Sequence, residues 1–186
     1  MTNKEIFRYA LSFLGGTARV FEYRNSNDSQ SVDIMTCQDS LYKKVDVNAT
    51  IGLSNTPINM VWENKPVGVE LIDFGGKNET VMAHILADVA FQIMRDHHCQ
   101  YGEIFTDVFK PYQQNMAVRH VILLSPVYWP DYKMLVGPDR VISWLLLMPI
   151  TEAERIYIES HGLNAFEALL EKEKGDLTDP RRASIV

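Results

Sequence analysis

Apolar residues recur at helical spacing at two places in the N-terminal half of the chain. The first helix is predicted from Asn3 to Leu14. Either Thr2 or Asn3 caps its start, and Gly15-Gly16 ends it because glycine tolerates a left-handed backbone. The longest helix is predicted from Glu79 to His97, where apolar residues recur at every fourth position and have apolar neighbours. A stripe this wide suits a helix packed firmly on a sheet.

Strand patterns surround these helices. They cover Ala18–Tyr23, Ser31–Thr36, Asn48–Leu53, Asn59–Trp62, Pro66–Phe74, Arg119–Leu124 and Val141–Met148. The last two are nearly continuous apolar runs, which is typical of central strands covered on both faces. We expect these two strands to lie at the centre of the sheet and Trp144 to be buried. Residues 98–118 have no regular pattern and are predicted to be irregular.

Two further helices are predicted near the C-terminus. Thr151 and Glu154 have the spacing of a capping box, and that helix ends at His161-Gly162. Asn164 is the expected cap of the second helix. Strands and helices are segregated along the chain, so the fold class is α+β. We expect a mixed or antiparallel sheet packed by the long central helix, the N-terminal helix and the C-terminal helical pair.

Length and composition indicate how many domains the chain forms and in which compartment it is expected. Its 186 residues, 46% hydrophobic and 23% charged, suit a single globular domain over residues 1–186. The longest apolar run, Val141–Ile150, is shorter than the roughly 18 residues of a spanning helix. No secretory signal pattern is present, so we expect a cytoplasmic protein without a membrane role. Cys37 and Cys99 support no disulfide framework and are expected to be free thiols.

The net charge of −6 bears on the kind of partner that the protein is expected to bind. The sequence has no basic stripe, which argues against nucleic-acid binding as the main function. An acidic protein is better matched to a basic partner protein. The alternative is that modest acidity only keeps the protein soluble.

Motifs for catalysis and metal binding are missing from the sequence. The segment Asp96-His97-His98-Cys99 is the most tempting cluster, but adjacent helical residues do not converge on one point, so we expect no metal site. No Gly-x-Ser-x-Gly elbow is present, and we assign no catalytic residue and no cofactor. Glu70 lies in an apolar strand. It is either a general acid with a raised pKa or a carboxylate held by a buried hydrogen bond or salt bridge.

Aromatic residues give a different signal. Tyr128, Trp129 and Tyr132 cluster with Asp131 in one loop, and a second aromatic group surrounds Asp107. Tyrosine and tryptophan are enriched at protein interfaces, so these residues are candidates for contact with a partner. The alternative is that both loops fold inward and complete the core. Trp129 is the expected anchor if the first loop is an interface.

The last third of the chain carries short motifs in a fixed order. They are the Trp-containing apolar run Val141–Glu154, the helix end His161-Gly162, the segment Ala165–Glu171, and the tail formed by Asp176–Asp179 with Arg181–Val186. Upstream, Thr50–Ser54, Val69–Leu71 and Ile104–Val108 follow in matching order. Together these motifs resemble the bacterial suppressor-of-fused domain family over nearly the full chain.

The resemblance implies a suppressor-of-fused-like fold and a role in binding another protein. In animals, the related domain belongs to a regulator that captures a transcription-factor peptide as an added β-strand. In bacteria, close relatives are immunity proteins or antitoxins found beside secreted polymorphic toxins, including LXG-type toxins with nuclease tips. The leading hypothesis is therefore an immunity protein that occludes a cognate toxin with a basic surface. A peptide-binding module that acts by strand addition is the alternative, and an uncharacterised enzyme is a third hypothesis. The family supplies no catalytic residues to carry over.

Overall fold

The computed structural model describes residues 1–40, 45–76, 81–112, 116–173, 176–177 and 179–186. Within these ranges four α-helices pack against one sheet. The helices are α1 (Asn3–Leu14), α2 (Val81–Asp96), α3 (Glu152–His161) and α4 (Leu163–Leu170). The strands are β1 (Thr17–Arg24), β2 (Ser31–Gln38), β3 (Val45–Ile51), β4 (Val61–Trp62), β5 (Lys65–Gly76), β6 (Ile104–Phe105), β7 (Val118–Leu124), β8 (Leu135–Val136) and β9 (Val141–Thr151). No helix in the described part of the chain is long and apolar enough to cross a bilayer.

The sheet is mixed, which is one of the two arrangements predicted. Its strand order is β1-β2-β3-β5-β9-β7-β6, with β4 paired to β5 and β8 paired to β9. β5 and β9 are parallel, with Val67 opposite Val141, and the other described pairs are antiparallel. The parallel pair joins the N-terminal strands to the C-terminal strands in one sheet.

The two apolar runs occupy the predicted region of the sheet. β9 lies between β5 and β7, and Trp144 on β9 is fully buried. β7 has β9 on one side and only the two-residue β6 on the other, yet every β7 residue except Arg119 is buried. β7 is thus covered, although it lies closer to the sheet edge than β9 does.

Each face of the sheet carries its own apolar core. α2 packs on β2, β3 and β5, and its buried face includes Ile85, Val89 and Ile93. The opposite core contains α1 residues such as Ile6 together with Trp144 and Phe166 of α4. Covering the sheet on both faces explains the continuous apolar pattern of β9.

Several boundaries differ from the sequence expectation. The predicted strand Asn48–Leu53 ends at Ile51, because Gly52 adopts a left-handed backbone with φ 98° and begins a 3-10 turn. α2 ends at Asp96, since His97 has φ 51°; residues 79 and 80 lie outside the described part of the chain.

Short elements account for the other differences. The predicted strand Asn59–Trp62 is reduced to β4, and the region expected to be irregular contains β6. Asn164 does not cap α4, because the helix begins at Leu163 and its N-cap is Gly162. The capping box of Thr151 and Glu154 forms as predicted.

Candidate functional site

The aromatic loop between β7 and β8 sends Trp129 into the core. The Trp129 side chain is only 3% exposed and stacks on Phe74, with ring centroids 5.0 Å apart and an angle of 12° between the rings. This position matches the alternative in which the loop completes the core. Trp129 therefore supports the loop from beneath and presents almost no surface to a partner.

Tyr132 ties the same loop to β9. Its ring packs against Phe13 and Trp144, and its hydroxyl lies 2.8 Å from the Ser143 hydroxyl. The Trp144 amide donates a hydrogen bond to the Tyr132 hydroxyl at 3.0 Å. These contacts hold the loop in a fixed position, as an interface loop on a rigid scaffold requires.

Of the four residues of this loop proposed from the sequence, Tyr128 and Asp131 are the exposed ones. Tyr128 is 38% exposed and packs edge-on against Phe74, with ring centroids 5.0 Å apart. The neighbouring Val127 is 75% exposed.

A cleft of about 590 Å³ lies beside Tyr128. Apolar side chains of β5, β7 and β9 form its floor, and α4 with the segment after it forms one wall. We call it the acidic cleft, because its lining includes Glu167, Glu171, Glu173 and Asp176. Sequence reasoning missed it, although acids one helical turn apart, as at 167 and 171, mark one face of a helix.

Asp107 belongs to a different part of the surface. Its carboxylate oxygen Oδ1 lies 2.8 Å from Nη2 of Arg119, and it lines a polar cleft of about 730 Å³ with Arg24 and Arg95. Its neighbour Phe109 belongs to the core beneath α2, whereas Trp129 belongs to the core on the other face. The two aromatic groups proposed from the sequence are thus not brought together.

His120 is buried, and both of its ring nitrogens are hydrogen-bonded within the fold. It is 2% exposed, its Nδ1 accepts a hydrogen bond from the Asp107 amide at 2.9 Å, and its Nε2 lies 2.6 Å from a Glu152 oxygen. Since Nδ1 accepts, Nε2 carries the proton and donates to Glu152. Hydrogen bonds from Arg155, followed by the His120 contact, lower the pKa of Glu152 to about 2. Nε2 therefore joins β7 to α3, and Nδ1 joins β7 to the turn that contains Asp107.

Glu70 has the hydrogen-bonded environment that was one of its two predicted readings. Its fully buried carboxylate accepts bonds from the Thr50 hydroxyl at 2.5 Å and from the amides of Gly52 and Ser54 at 2.8 and 3.1 Å. Burial raises the pKa of Glu70, and these hydrogen bonds oppose the rise. The carboxylate fixes the 3-10 turn that follows β3.

A second buried carboxylate lies beneath α2. Asp73 is fully buried and accepts a hydrogen bond from the Asn48 side-chain amide at 2.8 Å, while Asn48 in turn accepts from the Thr36 hydroxyl at 2.7 Å. Burial raises the pKa of Asp73 to about 7, against the lowering effect of Asn48. This polar chain crosses three adjacent strands.

The segment Asp96-His97-His98-Cys99 does not assemble into a site. Cys99 is 1% exposed, while the preceding three residues lie on the surface at the end of α2. Across the described ranges, no group of three His, Cys, Asp or Glu side chains is placed to hold a metal ion.

The fold is of the suppressor-of-fused type. It matches the crystal structure of a putative SUFU homolog from Neisseria gonorrhoeae FA 1090 with a TM-score of 0.77 and 17% identity, covering 99% of this chain and 96% of that one. It also matches a chain of the Sufu–Fu complex with a TM-score of 0.69 and 10% identity, covering 98% and 91%.

Sequence comparison identifies the family. The family described as Suppressor of fused protein (SUFU) matches residues 28–183, and the chain belongs to this family. The chain is also 30% identical over 186 residues to Immunity protein YqcF of Bacillus subtilis (strain 168), an alignment that covers 99% of this chain and 97% of the relative.

Proposed function

We propose that the protein is a cytoplasmic immunity protein that binds a toxin made by the same cell and neutralises it without catalysis. The observation that carries this proposal is the similarity to Immunity protein YqcF over nearly the full length of both chains. The toxin is proposed to be a secreted polymorphic toxin of the LXG type, with a nuclease activity and a basic surface. Binding would cover the active site or the surface that receives the substrate.

The charge of the protein supports a basic partner. The net charge is −6, and four acids line the cleft beside Tyr128. Acidic side chains that face the lysines and arginines of a nuclease take the place of nucleic-acid phosphates and accelerate association. Tyr128 and Asp131 are both exposed on the same loop, so they can combine an apolar contact with a charge contact.

Co-expression tests the proposal directly. The proposed partner, a toxin domain encoded beside the gene for this protein, is produced alone and together with the wild-type protein. A catalytically inactive variant of that toxin is used to measure binding. We expect growth to be restored by the wild-type protein and a 1:1 complex with nanomolar affinity by calorimetry. Continued toxicity in the presence of folded protein, with no heat of binding, would contradict the proposal.

Strand addition is the second candidate mode of binding, because β1 is an edge of the sheet. Val20 and Phe21 on β1 are 45% and 53% exposed. An edge strand with exposed apolar side chains is a template for pairing with an extended peptide. Variants of β1 and of Tyr128 distinguish the two modes.

A further inference from the structure

The acidic cleft combines two kinds of surface. Phe74, Leu124, Leu146 and Met148 form the floor, and each is at most 7% exposed, so the floor is well packed. Val127, 75% exposed, also lines the cleft. A volume of about 590 Å³ lies within the range of about 300–1,000 Å³ typical of small-molecule sites.

Four acids line the cleft among the described residues: Glu167, Glu171, Glu173 and Asp176. The same described lining contains no lysine, arginine or histidine. The Tyr101 hydroxyl donates a hydrogen bond to Glu167, which holds that carboxylate in place. Water screens carboxylates beside an apolar floor less than it screens carboxylates on a flat surface. Their attraction for a cation is therefore stronger.

We propose that the acidic cleft binds a segment of a partner protein in which apolar side chains are flanked by lysine or arginine. The apolar side chains pack against Val127 and Tyr128 above the floor, and the cations face Glu167 and Glu171. The assignment rests on the proposed function in one respect, namely that the toxin is taken as the natural source of the segment. An anionic or purely polar segment is disfavoured, because it would leave Val127 and Tyr128 uncovered or face charges of its own sign.

A peptide titration tests the cleft without the toxin. The probe is the capped hexapeptide Lys-Lys-Leu-Phe-Lys-Lys, and Glu-Glu-Leu-Phe-Glu-Glu and Lys-Lys-Ser-Ser-Lys-Lys serve as comparison peptides. Methyl NMR spectra of the intact protein report on Leu124, Leu146, Met148 and Leu170. We expect the first peptide to shift these methyl signals in a saturable way at sub-millimolar concentration. We expect its affinity to fall at least fivefold between 50 and 300 mM salt, on the order implied by screening.

Matched charge reversals identify the surface. Glu171→Lys is expected to weaken binding of the first peptide at least fivefold. The control is Glu63→Lys, which changes an exposed residue between β4 and β5 and is expected to weaken binding less than twofold. The inference is overturned by equal effects of the two variants, by shifts outside the cleft, by equal binding of the acidic peptide, or by no shift at millimolar peptide.

The same variants separate this inference from the proposed function. A wild-type protein that fails to protect against the neighbouring toxin contradicts the immunity role, while the peptide result still decides the chemistry of the cleft. If the wild type protects and Glu171→Lys protects equally well in dose-response assays, the toxin binds elsewhere and the cleft assignment is wrong.

Discussion

Arg182 in the C-terminal segment and Glu154 in the first turn of α3 form an ion pair that is shielded from solvent. Nη2 of Arg182 lies 2.8 Å from Oε2 of Glu154, and the two side chains are 8% and 0% exposed. The same carboxylate accepts hydrogen bonds from the amides of Thr151 and Ile185 at 2.7 and 3.1 Å. Glu154, the second member of the α3 capping box, therefore also anchors the last residues of the chain.

Arg182→Ala should destabilise the protein strongly, because it leaves the Glu154 carboxylate buried without its cation. We expect a loss of about 3–5 kcal/mol in the free energy of unfolding, measured by urea denaturation. Arg181→Ala is the control, since Arg181 is exposed and its loss should cost less than about 0.5 kcal/mol. A loss below about 1 kcal/mol for Arg182→Ala would contradict the structural role.

The effect of Arg182→Ala should depend on pH. Burial raises the pKa of Glu154, but the hydrogen bonds from Arg182 and from backbone amides outweigh it, so the pKa lies below its usual 4.5. A lowered pKa in the folded state contributes stability that is present above pH 4.5 and is lost as the pH falls through the folded value. The difference between wild type and variant should therefore shrink in urea titrations below pH 4.5.

Asp73→Asn should stabilise the protein at pH 8 and have little effect near pH 4. The pKa of Asp73 is raised from 3.8 to about 7, so the folded protein keeps a proton that the unfolded chain releases between these values. Wild-type stability should fall as the pH rises from 4 to 7, by on the order of 2–4 kcal/mol from this group. Asparagine can still accept the hydrogen bond from Asn48.

Urea denaturation at pH 4, 6 and 8 measures this gain. The exposed Asp139→Asn is the control and should show no such trend. A gain for Asp73→Asn that is equal at pH 4 and pH 8 would show that the buried carboxyl group does not titrate in this range.

Trp144→Ala should cost about 3–5 kcal/mol, since it removes a fully buried side chain from the core beneath α1. Trp144 packs against Tyr9, Phe13 and Tyr132, which cannot all move to fill the space. Trp62→Ala is the comparison, because Trp62 is half-buried on the two-residue β4 and should cost less. Thermal melts of both variants give the order, and near-wild-type stability of Trp144→Ala would argue against tight packing.

Tyr128→Ala and Phe21→Ala distinguish the two proposed binding modes. If the toxin contacts the loop, Tyr128→Ala should weaken binding by at least about 2 kcal/mol and Phe21→Ala should not. If a peptide adds to β1, the order is reversed. Asp131→Lys should slow association with a basic toxin and reduce its salt dependence.

Calorimetry measures the affinity of each variant for the toxin, and melting curves show that each variant is folded. If all three variants bind with the wild-type affinity, neither surface contacts the toxin. Trp129→Ala is a poorer test, although the sequence singled out Trp129 as the anchor. Its stacking on Phe74 means that the substitution perturbs the core together with any interface.

Local patterns predicted most of the fold. The apolar run that became β9, the glycines after α1 and the capping box of α3 are each encoded by neighbouring residues. The pair of Arg182 with Glu154 joins distant segments, so spacing along the chain gave no signal for it. Spacing marks the acidic face of Glu167 and Glu171, but it does not reveal the strands that complete the acidic cleft. The direction of Trp129 was undecided for the same reason, since it depends on Phe74 in another strand.

The parallel pairing of β5 with β9 also governs how the chain reaches its native state. Val67 meets Val141 across this pair, so the middle of the sheet closes only when two distant segments have met. Such long-range closure raises the contact order and places folding in the slower range of small domains. During synthesis, β1, β2, β3 and β5 are made before β9. The side of β5 that pairs with β9 therefore stays open until β9 is made. A chain truncated before β9 keeps that open edge and is prone to aggregate, so the complete sheet forms only after translation through the final strand.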